Sequence, residues 1–289
     1  MTETTTEARA GVGEPLAVVC GGGRFPFAVA QAATRAGRSV TLFPIRGFAD
    51  PWVEEWPHEW VPLGAFGALS AAIRRAGCRD VVIVGALTRP RLLDIRLDFT
   101  TVRLLPRIAR LFRGGDDHLL SGVGAIFEEA GFRLRGAHEI APGILVPEGR
   151  LGARAFDEAM AADARLGLAA LAALGPYDVG QALVVIGGHV VAVEAAEGTD
   201  LMLERVADLR RRGRLKTAPG RGVLVKAPKP GQDRRIDLPS VGPQTVERTA
   251  AAGLGGLALE AGGVIAADLQ AMIEAADRAG LALAGLAPR

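Results

Sequence analysis

The stretch from Lys226 to Pro243 gathers side chains able to do chemistry: four cations (Lys226, Lys229, Arg234, Arg235), two carboxylates (Asp233, Asp237), Gln232 and Ser240, with four prolines and two glycines between them. Cations at this density suit a polyanionic ligand. A loop that merely solubilises needs charge but not prolines, each of which fixes its own φ and restricts the residue before it. That stiffness lowers the entropy cost of holding charged groups in one geometry. Asp237 stands between the cationic run and Leu238-Pro239, so its carboxylate is held beside positive charge. The apolar run Gly222 to Val225 before the loop reads as a buried strand.

A second polar cluster, Glu194-Ala-Ala-Glu197-Gly198-Thr199-Asp200, falls where a strand gives way to a helix. Its carboxylates can ligate a cation or a sugar hydroxyl, while Asp200 alone also suits the positive end of a helix dipole. Gly21-Gly22-Gly23 follows the first strand and can bring backbone N–H groups near a phosphate at a helix N-terminus. Gly-rich turns of this kind also occur without ligands. The dinucleotide pattern G-x-G-x-x-G would need glycine where Pro26 stands, and Pro44-Ile-Arg46 follows the second strand where an acid would bind ribose. That argues against an NAD-dependent oxidoreductase.

No Gly-Lys-Ser/Thr phosphate loop occurs, and no G-x-S-x-G elbow for a serine hydrolase. The 4 histidines (His58, His118, His138, His189) are scattered, which argues against a zinc hydrolase. A hard divalent ion would take oxygen ligands from carboxylates and from the substrate's own phosphates, as Mg²⁺ prefers.

These groups need a scaffold, and 289 residues with 49% hydrophobic content suffice for two domains. A net charge of only +2 gives no case for nucleic acid binding. Local basic clusters at Arg103 to Arg113, Arg205 to Lys216 and Lys226 to Arg235 suit phosphates or an anionic membrane surface, and equally a solvated helix face. Cys20 and Cys78 lack CxxC spacing and read as buried thiols in a reducing cytosol. No stretch approaches the roughly 20 uninterrupted apolar residues of a membrane span.

Strands at Leu16 to Cys20, Ser39 to Phe43 and Asp80 to Val84 alternate with helices through Arg35 and over Ala68 to Arg75. This predicts an α/β fold beginning with a Rossmann-like parallel-sheet domain. Met1 to Glu14 reads as a disordered tail, 15–141 as that domain, 142–153 as a Pro/Gly linker and 154–289 as a mixed α/β domain carrying the catalytic loop. In the second domain Phe156 to Leu174, Thr199 to Arg211, Pro243 to Ala252 and Asp268 to Ala279 read as helices. Gly187-Gly188 and Gly262-Gly263 are each expected to turn a hairpin, the second one from Leu257 to Ile265.

Taken in order, several islands resemble one family, the UDP-2,3-diacylglucosamine pyrophosphatase of the lipid A pathway in its non-metallophosphoesterase form. They are Gly21-Gly-Gly-Arg-Phe-Pro26, Gly85 with Arg89-Pro90, Gly115-Asp-Asp117, Gly136-Ala-His-Glu139, Asp178-Val-Gly-Gln181, Glu194 to Asp200, and Lys226-Ala-Pro-Lys-Pro230 through Asp237-Leu-Pro239. They cover nearly the whole chain from Leu16. The resemblance implies two domains with the active site between them, and Mg²⁺-dependent hydrolysis of UDP-2,3-diacylglucosamine to UMP and 2,3-diacylglucosamine 1-phosphate (lipid X). It implies that Asp237 matches the family's essential aspartate, as a metal ligand or as the group that orients water. A homodimer, cytoplasmic and peripheral to the inner membrane, is the expected form.

On this reading Asp237, Lys226 and Lys229 serve catalysis. Gly21, Gly22, Gly23, Gln181, Glu194, Thr199, Asp200 and Gln232 contact substrate, and Asp237 with Asp200 holds Mg²⁺. The rival is a non-catalytic nucleotide-sugar binding or regulatory protein, which would keep the glycine turn and the lysines but need neither Asp237 nor a metal. Asp237→Ala separates them by whether it weakens binding or only abolishes turnover.

Overall fold

The computed structural model describes residues 13–87, 95–111 and 116–288. These form two compact units, one of residues 13–87, 95–110 and 122–141, the other of residues 111, 116–121 and 142–288. Arg89-Pro90, Gly115 and the expected tail up to residue 12 lie outside the described residues. Glu14 is tied down: its carbonyl accepts from Arg38 Nε at 2.8 Å and its carboxylate pairs with Arg133.

The first half of the chain runs β1 (Leu16–Cys20), α1 (Phe25–Arg35), β2 (Val40–Pro44), α2 (Phe66–Arg75), β3 (Asp80–Val84), α3 (Phe99–Leu111), α4 (Asp116–Glu129), β4 (Arg133–Leu134) and the short α5 (Ala137–Ile140), all in the first unit except Leu111 and the start of α4. Its four strands are all parallel in the order β2-β1-β3-β4. All five residues of β1 are buried, as an interior strand covered on both faces requires. Ala17, Val19, Phe43, Ile73, Val81 and Phe127 share one core cluster. Asp80, wholly buried, accepts from Arg38 Nη2 at 2.6 Å and Arg133 Nε at 2.7 Å. That network pairs a charge which burial alone would make costly.

The second unit continues with β5 (Gly149–Arg150), α6 (Glu158–Leu174), β6 (Ala182–Ile186), β7 (His189–Val193), α7 (Gly198–Arg211), β8 (Val223–Lys226), β9 (Ser240–Val241), α8 (Pro243–Ala251), β10 (Gly256–Glu260), β11 (Ile265–Ala266), α9 (Leu269–Ala279) and β12 (Ala282–Leu286). Six strands form a mixed sheet, β5-β12-β10-β8-β6-β7. β8, β10 and β12 are parallel, while β6 runs antiparallel to β8. Alternation along the strands divides two cores. Leu224, Leu257, Leu259 and Leu283 pack with Met202, Val246 and Met272 of α7, α8 and α9, whereas Val223, Val225 and Ala258 pack under α6. Gly167 of α6 is explained by that contact, since a Cβ there would lie 2.5 Å from Val225 Cγ2.

Two expectations need correction. The Gly262-Gly263 turn does not fold Leu257–Ile265 into a hairpin. β8 and β12 occupy both edges of β10, so β11 has no edge left to pair with and joins β9 in a separate two-stranded sheet. The stretch expected as a linker is also partly structured: Gly149 and Arg150 pair antiparallel with Gly285 and Ala284 at the sheet edge. Pro and Gly are tolerated there, where ladder bonds are needed on one side only. The Gly187-Gly188 hairpin does form, with φ of +57° and +78°.

Candidate active site

Period-two alternation places Lys226 on the same face as Leu224, toward α7, at the carboxyl end of β8. Beyond the ends of the parallel strands is where open α/β sheets bind ligands. Lys226 is 8% exposed, and its Nζ donates to Thr199 Oγ1 at 3.0 Å. Thr199, in the first turn of α7, in turn donates to Glu194 Oε1 at 2.6 Å. The other Glu194 oxygen accepts from the Gln181 backbone N–H at 3.0 Å. Gly180 allows that approach, because a Cβ there would stand 2.3 Å from the Glu194 carbonyl oxygen.

Burial pushes the Lys226 ammonium below its usual pKa, and the carboxylates of Glu194, Asp200 and Asp237 pull against that shift. One buried cation therefore faces three acidic side chains. Asp200 is further held by Arg248 of α8, whose Nε lies 3.4 Å from its Oδ2.

The loop after β8 folds over this edge. The Ala227 N–H donates to the Gln181 carbonyl at 3.0 Å, continuing the β6–β8 pairing. Lys229 and Gln232 close a turn in which the Lys229 N–H donates to Gln232 Oε1 at 3.0 Å. A second turn follows, with Ile236 and Asp237 N–H groups both donating to the Asp233 carbonyl at 3.1 Å. The Gln232 amide donates to Asp237 Oδ2, which also lies 3.4 Å from Gln181 Nε2. Lys229 forms an ion pair with Asp178. Pro230 packs on the chain beside it, 2.6 Å from where a Gly175 Cβ would stand.

Asp237, Lys226, Lys229, Gln181, Glu194, Thr199, Asp200 and Gln232 are thus joined by these contacts and charges in the second unit. Gly21, Gly22 and Gly23 belong to the first. There the Gly21 N–H donates to the Val84 carbonyl at 3.0 Å, that of Gly22 to Ala86 at 2.9 Å, and that of Gly23 to Asp50 Oδ2 at 2.7 Å. A Cβ on Gly21 or Gly22 would lie 2.4 Å or 2.8 Å from a backbone oxygen, so close packing accounts for both residues.

Asp178 and Arg248 were not among the expected site residues. Asp178 adopts φ +50°, and is the one non-glycine with positive φ among the described residues. Such a conformation is uncommon outside glycine and is tolerated best by Asn and Asp. Nothing in local spacing pairs Asp178 with Lys229 or Arg248 with Asp200.

Residues 15–144 match the family model described as the LpxI N-terminal domain, and residues 147–284 match the LpxI C-terminal domain. A relative from Caulobacter vibrioides, the UDP-2,3-diacylglucosamine pyrophosphatase LpxI, is 40% identical over 274 residues, spanning 95% of this chain and 98% of that protein. The chain belongs to the LpxI family. In the LpxI frame, the residues around Lys226 and Asp237 all fall in the C-terminal domain, and the Gly21 turn falls in the N-terminal one.

Proposed function

We propose that this chain hydrolyses the pyrophosphate of UDP-2,3-diacylglucosamine, giving UMP and 2,3-diacylglucosamine 1-phosphate in lipid A biosynthesis. What supports this is the buried Lys226 with its Thr199–Glu194 relay beside Asp237, on a chain similar over nearly its whole length to a pyrophosphatase of that name. In the reaction water adds to one phosphorus, the bridging P–O bond breaks, and the departing oxygen carries its electron pair away as phosphate. Lys226 and Lys229 stabilise charge on the phosphoryl oxygens, a contribution that grows where water is excluded. Asp237, with its Oδ2 held by Gln232 and near Gln181, keeps a fixed direction for a water or an ion.

The donor set fits Mg²⁺. Around Lys226 the acidic side chains Glu194, Asp200 and Asp237 outnumber the cation, so a pyrophosphate adds negative charge to a site already rich in it. Asp237 and Asp200 would hold the ion, with remaining ligands from the substrate's oxygens, as Mg²⁺ commonly takes. Bound there, it would supply charge neutralisation and Lewis-acid polarisation of the phosphates. Among the described residues no group of three or more His, Cys, Asp or Glu is arranged as a metal cage.

The substrate carries two acyl chains, so the enzyme works at the cytoplasmic surface of the inner membrane. No helix among the described residues is long and apolar enough to cross a bilayer. The test is UMP release from UDP-2,3-diacylglucosamine by purified protein, across a Mg²⁺ titration and in EDTA. Release that saturates with Mg²⁺ and stops in EDTA supports the proposal. Tight substrate binding without release would replace it by the binding module.

A further inference from the structure

We propose that α3 is the element that docks this protein on an anionic lipid bilayer, lying in the plane of the interface. The proposal deepens the lipid-substrate reading and rests on it for the reason this protein would meet a bilayer.

Helical spacing gives α3 three faces. Thr101, Leu104 and Ile108 point inward and line an apolar cavity of about 250 Å³ within the first unit, against Phe66, Val123 and Phe127. That face looks into the unit, with Leu104 and Ile108 half-buried. Val102 and Leu105 lie on a second face, with Phe99 at its edge, and are 48%, 37% and 70% exposed. Leu97, just before the helix, is 46% exposed. Large apolar side chains grouped in this way on a soluble surface mark a contact region.

The third face names the occupant. Arg103, Arg107 and Arg110 line it, and Arg96 precedes the helix. From residue 89 to 113 the sequence holds seven arginines against two aspartates, Asp94 and Asp98. Of these acids Asp98 is consumed locally, accepting from the Thr101 N–H at 2.8 Å and the Ala68 N–H at 2.9 Å. Arg107 pairs with Glu129, while Arg103 lies 4.3 Å from the centroid of the Phe99 ring, which links the apolar edge to the cationic row.

Apolar residues flanked by arginines on one helix are the pattern of an interfacial helix on anionic lipid. A second copy of the chain fits less well, because a two-fold contact across this face would bring the arginine rows together.

The experiment is flotation of the full chain with phosphatidylethanolamine vesicles, with and without phosphatidylglycerol, at low and high salt. The variants are Phe99→Ser/Val102→Gln/Leu105→Gln and Arg103→Glu/Arg110→Glu, with Arg103→Lys/Arg110→Lys as the charge-preserving control. Thermal melts check their folding, and UMP release from detergent-dispersed substrate checks their active site. The wild type and the lysine control are expected to bind only vesicles containing phosphatidylglycerol. Binding should fall by roughly tenfold or more in high salt and in either of the other variants, with UMP release in detergent unchanged. Wild type that fails to float with phosphatidylglycerol at low salt, or an apolar-face variant that floats like wild type, overturns the proposal. So does a wild-type dimer that the same variant dissociates. Absence of UMP release alongside normal flotation would sink the hydrolase reading and leave this surface standing.

Discussion

Lys226 Nζ donates to Thr199 Oγ1 across 3.0 Å, and the same hydroxyl donates onward to Glu194 across 2.6 Å, so the hydroxyl fixes the direction of the buried ammonium. A hydrogen bond to a charged group contributes about 1.5–3 kcal/mol. Thr199→Val keeps the shape and removes the relay. It should lower kcat/KM by about one to two orders of magnitude, while Thr199→Ser retains most of it. Steady-state UMP release on the two variants checks this.

Asp178 holds Lys229 from a left-handed backbone position, φ +50°. Asn and Gly tolerate that conformation, but a Cβ without a polar partner costs roughly 1–2 kcal/mol there. Asp178→Asn and Asp178→Gly should therefore fold nearly as stably as wild type, with Asp178→Ala lower by about 1 kcal/mol. Asp178→Gly and Asp178→Ala should raise KM, because Lys229 loses this anchor, and Asp178→Asn, which keeps an acceptor oxygen without the charge, should raise it less. Urea unfolding beside substrate saturation curves separates the two effects.

The Gly187-Gly188 turn depends on Asp163, a buried residue of α6 whose carboxylate accepts from both turn N–H groups, at 2.9 and 2.7 Å. Asp163→Ala removes the acceptor of two turn amides that, being exposed, water can partly satisfy, and should cost about 1–2 kcal/mol in chemical denaturation. Asp163→Asn, which keeps one acceptor oxygen, should cost less.

Burial pushes the Cys20 thiol up to about 12 and the Cys78 thiol to about 11, against an ordinary 9.0. Above pH 9.0 the unfolded chain releases protons that the folded protein keeps. Stability from this source is therefore complete below that pH and is lost as pH rises toward the folded values. Urea midpoints should fall over this alkaline range, and fall less in Cys20→Ala/Cys78→Ala. Native protein should resist thiol reagents at neutral pH.

β1, β2 and β3 of the parallel sheet were legible because each is a short, largely buried run, as in Leu16–Cys20 before Gly21, whereas β4 (Arg133–Leu134) is two residues with one exposed and carries no such signal. Gly262-Gly263 misled because it carries the same signal as Gly187-Gly188. Only the pairing of both β10 edges distinguishes them, and that is a long-range fact. In the site, Lys226, Gln232 and Asp237 were legible from one loop's composition. The Asp178–Lys229 pair joins residues 51 positions apart, and no periodicity encodes it. The glycines after β1 suit a phosphate turn or a ligand-free one in sequence, and the tight packing of Gly21 and Gly22 leaves the same mark.

Pyrophosphate hydrolysis is proposed to occur at Asp237 beside Lys226. Its most direct test is UMP release from UDP-2,3-diacylglucosamine in Mg²⁺ by wild type and Asp237→Asn, each with substrate affinity measured in parallel. The variant keeps the size of the side chain and removes its charge. Wild type should release UMP robustly, and the variant should lose at least about a hundredfold in kcat with the fold and substrate binding retained. Equal turnover in the two proteins would contradict it.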